Sequence, residues 1–286
     1  VIGAATSPIV LDYSGIVVRV SGLAPAWTER LVREHEPYVA RTIDAETMLD
    51  VRVDASARSL PDAPFAPHDL AGTFRVAGAR FDLAEGSAEV DERGKVEVEL
   101  VESDDPRAYF AFLNLLRASL AWSVLRNDGA MIHAAGLVVD ERGFLLVGPS
   151  GTGKSTFARF GAEGGGTVVS DDIVLVRILD GAPMVLGSPF RSTWRGPMVH
   201  GRWPLAAILL AEHTRSPRLD PVSPILTRAR LLANLPFTAE AGAADPEPMS
   251  AVEALVAAVP CYTLAYAPEP SFVGLLRELR AGPRDS

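Results

Sequence analysis

The sequence predicts an α/β fold carrying a β-rich N-terminal domain, and three observations support that prediction. Residues 1–102 hold short runs of strand formers broken by Gly, Pro and Asp. From residue 103 onward, strand and helix signals alternate, the pattern of helices layered on a sheet. Within that second part a glycine-rich stretch, Gly148–Thr156, joins an apolar run to a helical one. The domains are therefore drawn as 1–102 and 103–286.

In the first domain, strands are expected at Ile16–Val20, Met48–Val53, Gly72–Val76 and Arg80–Leu83. Ser87–Val90 and Lys95–Val101 form the clearest pair, joined by Asp91-Glu92-Arg93-Gly94. Val96, Val98 and Leu100 alternate with Glu97 and Glu99, as in a half-exposed strand. Ser59–Pro67 carries three prolines and reads as a loop. His35 and His68 stand alone and read as surface or packing residues.

A helix opens the second domain. Ser103-Asp104-Asp105 supplies N-cap candidates, and Pro106 suits a first turn that needs no N–H. Phe110, Leu113, Leu116, Leu120 and Val124 recur at helical spacing, widened by Leu115 and Trp122, until Asn127–Gly129 stops the run. Met131–Val139 reads as a strand, Asp140–Gly143 as a tight turn and Phe144–Val147 as a second, buried strand. A helix from Ser155 to about Glu163 ends at Gly164-Gly165-Gly166. Strands follow at Thr167–Val169, Ile173–Ile178, Met184–Leu186, Ala206–Leu210 and Tyr262–Ala265. Helices are expected at Leu226–Leu235, Met249–Ala258 and Ser271–Arg280, with a loop at Ala239–Ala244.

Composition narrows the partners. The net charge of −9 is uneven: residues 1–105 hold ten Lys and Arg against twenty Asp and Glu. An acidic front half repels a phosphate backbone, so no nucleic acid partner is expected. One cysteine, Cys261, allows no intrachain disulfide and fits a reducing compartment. Uninterrupted apolar runs such as Leu205–Ala211 fall short of the roughly 20 residues of a membrane span, and Val1–Val20 lacks the plan of a signal peptide. A cytoplasmic location without a membrane partner is the expectation, and the oligomeric state stays open.

Only Lys95 and Lys154 are lysines among 27 basic residues. Lys154 stands where a compact ammonium reaches between phosphates. Gly148, Pro149, Ser150, Gly151, Thr152, Gly153, Lys154 and Ser155 match the P-loop spacing, with a strand before and a helix after. Glycines let backbone N–H groups turn inward around phosphate, and the following helix directs its partial positive end there. Lys154 is expected on the β- and γ-phosphates and the Ser155 hydroxyl on Mg²⁺. Asp171 and Asp172 end a buried strand, and Asp172 lies only 18 residues after Lys154, one short helix and a direct return. Two such carboxylates need a cation. One is suited to hold Mg²⁺ and the other to take a proton from an attacking hydroxyl. His133 sits on the strand whose hairpin partner feeds the P-loop, so it too is placed to approach the γ-phosphate.

The succession His133-Ala134-Ala135-Gly136, hairpin, Gly148–Thr156, short helix, Ser170-Asp171-Asp172 resembles the catalytic domain of the HPr serine kinase/phosphorylase family. That family shares its P-loop core with the ATP-dependent phosphoenolpyruvate carboxykinases. The resemblance is specific over residues 131–177, weaker to the end of the chain, and does not cover residues 1–102. It implies a P-loop kinase domain of HPr kinase/phosphoenolpyruvate carboxykinase type, with ATP and Mg²⁺ as cofactors. Carried over, Lys154 and Ser155 match the phosphate and Mg²⁺ contacts within the nucleotide site Gly148–Thr156, and Asp171 is the base that deprotonates an acceptor serine. Asp172 with Ser155 holds the metal, and His133 lies close to the phosphates.

In Gly187–Arg195 the wording departs from the family's arginine loop, and Arg191 or Arg195 is left either facing transferred phosphate or solvated. The front domain and this loop look more like stand-alone HPr-kinase-like proteins found with peptide-modification systems. The implied activity is transfer of the γ-phosphate to a hydroxyl, serine above all, of a peptide or small protein. A nucleotide-binding regulator without turnover and a kinase of a small metabolite remain as alternatives.

Overall fold

The computed structural model describes residues 7–40, 46–56, 59–60, 75–101, 103, 105–214, 216–237 and 247–279. The chain divides into two units at Arg126/Asn127, with Phe237 grouped with the first unit.

The first unit is a mixed seven-stranded sheet built from β1 (Ile9–Asp12), β2 (Val17–Ser21), β3 (Thr47–Ser56), β4 (Arg75–Ala77), β5 (Arg80–Leu83), β6 (Gly86–Val90) and β7 (Lys95–Val101). Its order is β1-β2-β3-β7-β6-β5-β4, and the β2–β3 and β3–β7 pairs are parallel. One sheet face buries Leu49, Val51, Val53, Val96, Val98 and Leu100. The other carries ion pairs such as Arg52–Asp54 at 2.9 Å and Lys95–Glu97 at 2.6 Å. Exposed pairs of this kind contribute little each, so the apolar face holds the sheet.

Two helices, α1 (Pro25–Glu34) and α2 (Pro106–Leu125), complete the unit. The sequence reading did not anticipate α1. It starts on a proline and buries only Trp27 and Leu31, too sparse a stripe to read as helical periodicity. Asp105 caps α2 by accepting the Arg107 N–H at 2.9 Å. Trp27 meets Tyr109 edge-on, with ring centroids 5.5 Å apart, and the Tyr109 hydroxyl donates to Glu34 at 2.9 Å.

The helix α2 packs on β3, β5, β6 and β7, so the structural division falls after it. That corrects the boundary expected at residue 102. Helical spacing reveals a helix but not the sheet it will cover. By length and composition α2 is apolar enough to cross a membrane, and 83% of that stretch is buried. Polar Asn114 and Arg117 interrupt its apolar run, so no unbroken apolar stretch marks its length. Residues 61–67 of the expected proline loop, residues 72–74 of the strand expected at Gly72–Val76, His68 and the Ala239–Ala244 loop lie outside the described residues.

The second unit has eight strands: β8 (Gly129–Val139), β9 (Arg142–Val147), β10 (Thr167–Ser170), β11 (Ile173–Leu179), β12 (Ala182–Leu186), β13 (Arg202–His213), β14 (Arg218–Pro221) and β15 (Cys261–Tyr266). Two long strands change partners along their length. β8 pairs with β11 over 129–133 and with β9 over 134–139, while β13 pairs with β12, then β9, then β15. The pairings β8–β9–β13–β12–β11–β8 therefore close a ring. Asp140 and Glu141, at φ 48° and 60°, make the tight β8–β9 hairpin turn. The sequence reading did not anticipate β1 or β14, both four-residue edge strands.

Helices α3 (Lys154–Glu163) and α6 (Phe272–Glu278) cover one layer of this unit, and α4 (Pro224–Leu232) packs with α5 (Glu247–Ala258). Phe157 of α3 stacks on Phe272 at 5.1 Å between ring centroids, over a core of Leu137, Phe144, Leu146 and Leu209. That buried layer fixes the strand ends from which the site is built.

Candidate functional site

Three chain segments converge at one position in β8. Ala134 is the register partner of Val147, the last residue before the P-loop. His133 is the partner of Ile173, and the Ala134 N–H donates to the Asp172 carbonyl at 2.9 Å. The break between β10 and β11 thus delivers Asp171-Asp172 to the point where β9 ends. A cleft of about 280 Å³ results, lined by His133, Ser150, Gly151, Gly153, Lys154, Ser155, Thr156, Asp171, Asp172 and Ser192.

The P-loop conformation depends on glycine where φ is positive: Gly151 at 82° and Gly153 at 97°, the latter being the N-cap of α3. Because α3 begins at Lys154, its first N–H groups have no partner inside the helix and form an anion-receptive end. Lys154 is only 7% exposed, and its ammonium donates to the carbonyls of Gly148 at 2.8 Å and Pro149 at 3.0 Å. Burial lowers its pKa, and the Asp172 charge opposes that shift. Within the loop, the Thr152 hydroxyl donates to Pro149 O at 2.7 Å. From outside it, the Tyr266 hydroxyl at the end of β15 donates to Gly153 O at 2.9 Å.

The two aspartates differ. Asp172 Oδ1 lies 3.2 Å from His133 Nδ1, and its charge also acts on Lys154. Asp171 is 3% exposed and its carboxylate accepts four bonds. Oδ1 accepts Ser192 N–H at 2.8 Å, and Oδ2 accepts Thr193 N–H at 2.9 Å, Thr193 O–H at 2.8 Å and Trp194 N–H at 3.0 Å. Burial alone raises the pKa of Asp171, but these donors outweigh it and hold the carboxyl below its usual range. At this position, where the resemblance implies a base, the carboxylate is held by loop donors. The resemblance indicated a carboxylate there but not that loop backbone would occupy it.

All the expected site residues except Gly148, Pro149 and Thr152 line the one cleft, and those three lie within the same loop. Arg191 and Arg195 are exposed and do not line it; they donate to Gly196 O at 3.2 Å and to Ser192 O at 2.8 Å. Four contributors were not anticipated. Ser170 donates to Phe190 O and accepts the Asp172 N–H at 3.1 Å. Asn234 O accepts the His133 N–H at 2.7 Å. The others are Tyr266 and the Ser192–Trp194 backbone; Ser170 stands in the Ser170-Asp171-Asp172 motif, but the motif does not show what its hydroxyl bonds.

Among the described residues no three His, Cys, Asp or Glu side chains cluster as a ready metal cage. Ser155 and Asp172 offer hard oxygen donors in the same cleft, which fits Mg²⁺, an ion that keeps much of its shell as water and phosphate oxygen.

No protein-family model matches the chain. No curated protein matches it either. Among solved structures it is similar to the Hpr(Ser) kinase/phosphatase from Coxiella burnetii, at 11% identity and a TM-score of 0.28, over 52% of this chain and 87% of that one.

Proposed function

We propose that this chain binds ATP with Mg²⁺ and transfers the γ-phosphoryl group to a hydroxyl, serine above all, of a peptide or small protein. The observation that carries the reading is the meeting of Lys154, Ser155, Asp172 and His133 in one cleft at a helix N-terminus. The α3 N-terminus and the Gly151–Gly153 backbone receive the phosphates, and Lys154 exchanges its two loop carbonyls for phosphate oxygens. Ser155 and Asp172 are the residues that would hold Mg²⁺, whose chemistry is charge neutralisation on the transferring group. The acceptor oxygen forms the new P–O bond as the bond to ADP breaks, and the acceptor proton passes to a cleft base. Asp171 is already held by four donors of the 192–194 loop, one on Oδ1 and three on Oδ2, so a proton on its carboxylate would weaken that tie.

That same engagement of Asp171 favours a second reading, a nucleotide-binding regulator without turnover. The experiment that separates them is incubation with γ-labelled ATP, Mg²⁺ and lysate peptides and proteins. Label on serine that disappears in Lys154→Ala supports transfer. Bound nucleotide with no label moved under any condition gives the second reading instead.

A further inference from the structure

The segment from Gly187 to Gly201 contains no helix or strand, yet it forms a wall of the phosphate cleft through Ser192. Its base is closed by Gly187 N–H on Gly201 O at 2.9 Å and by the Ser170 hydroxyl on Phe190 O. Its middle is tied down by Asp171, while Trp194 packs against the core of the unit. Three consecutive backbone N–H groups, from Ser192, Thr193 and Trp194, turn toward Asp171 with the Thr193 hydroxyl beside them. Successive N–H groups converging on one anion make a nest, an arrangement normally completed by a bound anion. No rival exists within the segment, because residues 181–211 contain no Asp or Glu. Four donors point at the one carboxylate, one at Oδ1 and three at Oδ2.

The geometry points to Asp171 as a positioning residue: its carboxylate clamps the Ser192–Trp194 backbone in place as the acceptor-side wall of the phosphate cleft. The wall's part in phosphoryl transfer rests on the proposed function; the clamp does not. Its neighbour Asp172 turns to His133 instead, so adjacent carboxylates divide the work between wall and cleft floor. An Asn at position 171 keeps one acceptor oxygen but turns an NH₂ toward N–H donors, which breaks the nest without changing side-chain size.

Arg191 and Arg195 are exposed in this loop, so trypsin reports its opening directly. The full chain is digested under native conditions, and cleavage after Arg191, Arg195 and the exposed turn residue Arg93 is timed by mass spectrometry. In Asp171→Asn, cleavage after Arg191 and Arg195 is expected to accelerate at least tenfold while that after Arg93 is unchanged. Thr193→Val, which removes one of the four bonds, is expected to accelerate it about threefold. Rates within twofold of the parent chain in Asp171→Asn overturn the clamp; where that variant does not fold, an unchanged rate in Thr193→Val overturns it.

A purely structural tie would not couple the loop to nucleotide. Mg²⁺ with a non-hydrolysable ATP analogue should slow loop cleavage in the parent chain and not in Asp171→Asn, and equal slowing in both contradicts the positioning role. If the analogue fails to bind at all, the proposed function falls, and the clamp is judged by the cleavage rates alone.

Discussion

Lys154 and His35 show how burial sets the state of a single ionisable group. Lys154 loses water but gains two carbonyls and the field of Asp172, so its ammonium is held inside the loop. His35 lies in the first unit, 6% exposed, with Nδ1 3.0 Å from Leu31 O. Burial lowers its pKa from 6.5 to about 4. Between those values the unfolded chain binds a proton that the folded chain refuses, so stability falls as pH drops from 6.5 to 4 and this contribution then levels off. The loss amounts to about 3 kcal/mol at 1.36 kcal/mol per unit. Urea unfolding of the parent chain and His35→Gln at pH 7 and pH 4 checks this: the difference between the two pH values should shrink by about that amount in the variant. At this scale the legible residues were those whose chemistry depends on spacing. Lys154 and Ser155 follow from the motif alone. The partners of Asp171 do not, because three of the four are backbone donors 21 to 23 positions later, which no side-chain pattern marks.

Among elements, the strands with alternating burial and the helices with strong stripes were legible, while α1 and the short edge strands were not. The burial pattern of β7 alternates through Leu100, which local sequence can reveal. The partner changes of β8 and β13 cannot be read locally, because pairing is decided by contacts far along the chain. Those switches carry the site: they bring the β9 end, His133 and the Asp171-Asp172 break to one place. A strut from β15 supports the assembly, the Tyr266 hydroxyl on Gly153 O. Tyr266→Phe deletes that donor and leaves the carbonyl without it, at a cost of about 1 kcal/mol. The expected outcome is a fivefold loss of ATP affinity with little change in fold, read by fluorescent-nucleotide titration together with circular dichroism. Unchanged affinity would mean that the P-loop holds its shape without the strut.

The whole molecule pairs an acidic, sheet-based first unit with a second unit that contains every residue of the cleft. The α/β class and the residues that line the cleft were legible because strand, glycine turn and helix occur in one short stretch. The placement of α2 was not, since its apolar surface suits either unit and only the completed sheet decides. The central claim is that the cleft around Lys154 receives a nucleoside triphosphate. Calorimetric titration of the full chain with ATP and Mg²⁺, beside Lys154→Ala, tests it most directly. The account predicts saturable one-to-one binding that weakens at least tenfold in the variant, since a charge-assisted contact contributes about 1.5–3 kcal/mol. Absence of binding by the parent chain, or equal binding by Lys154→Ala, would contradict it.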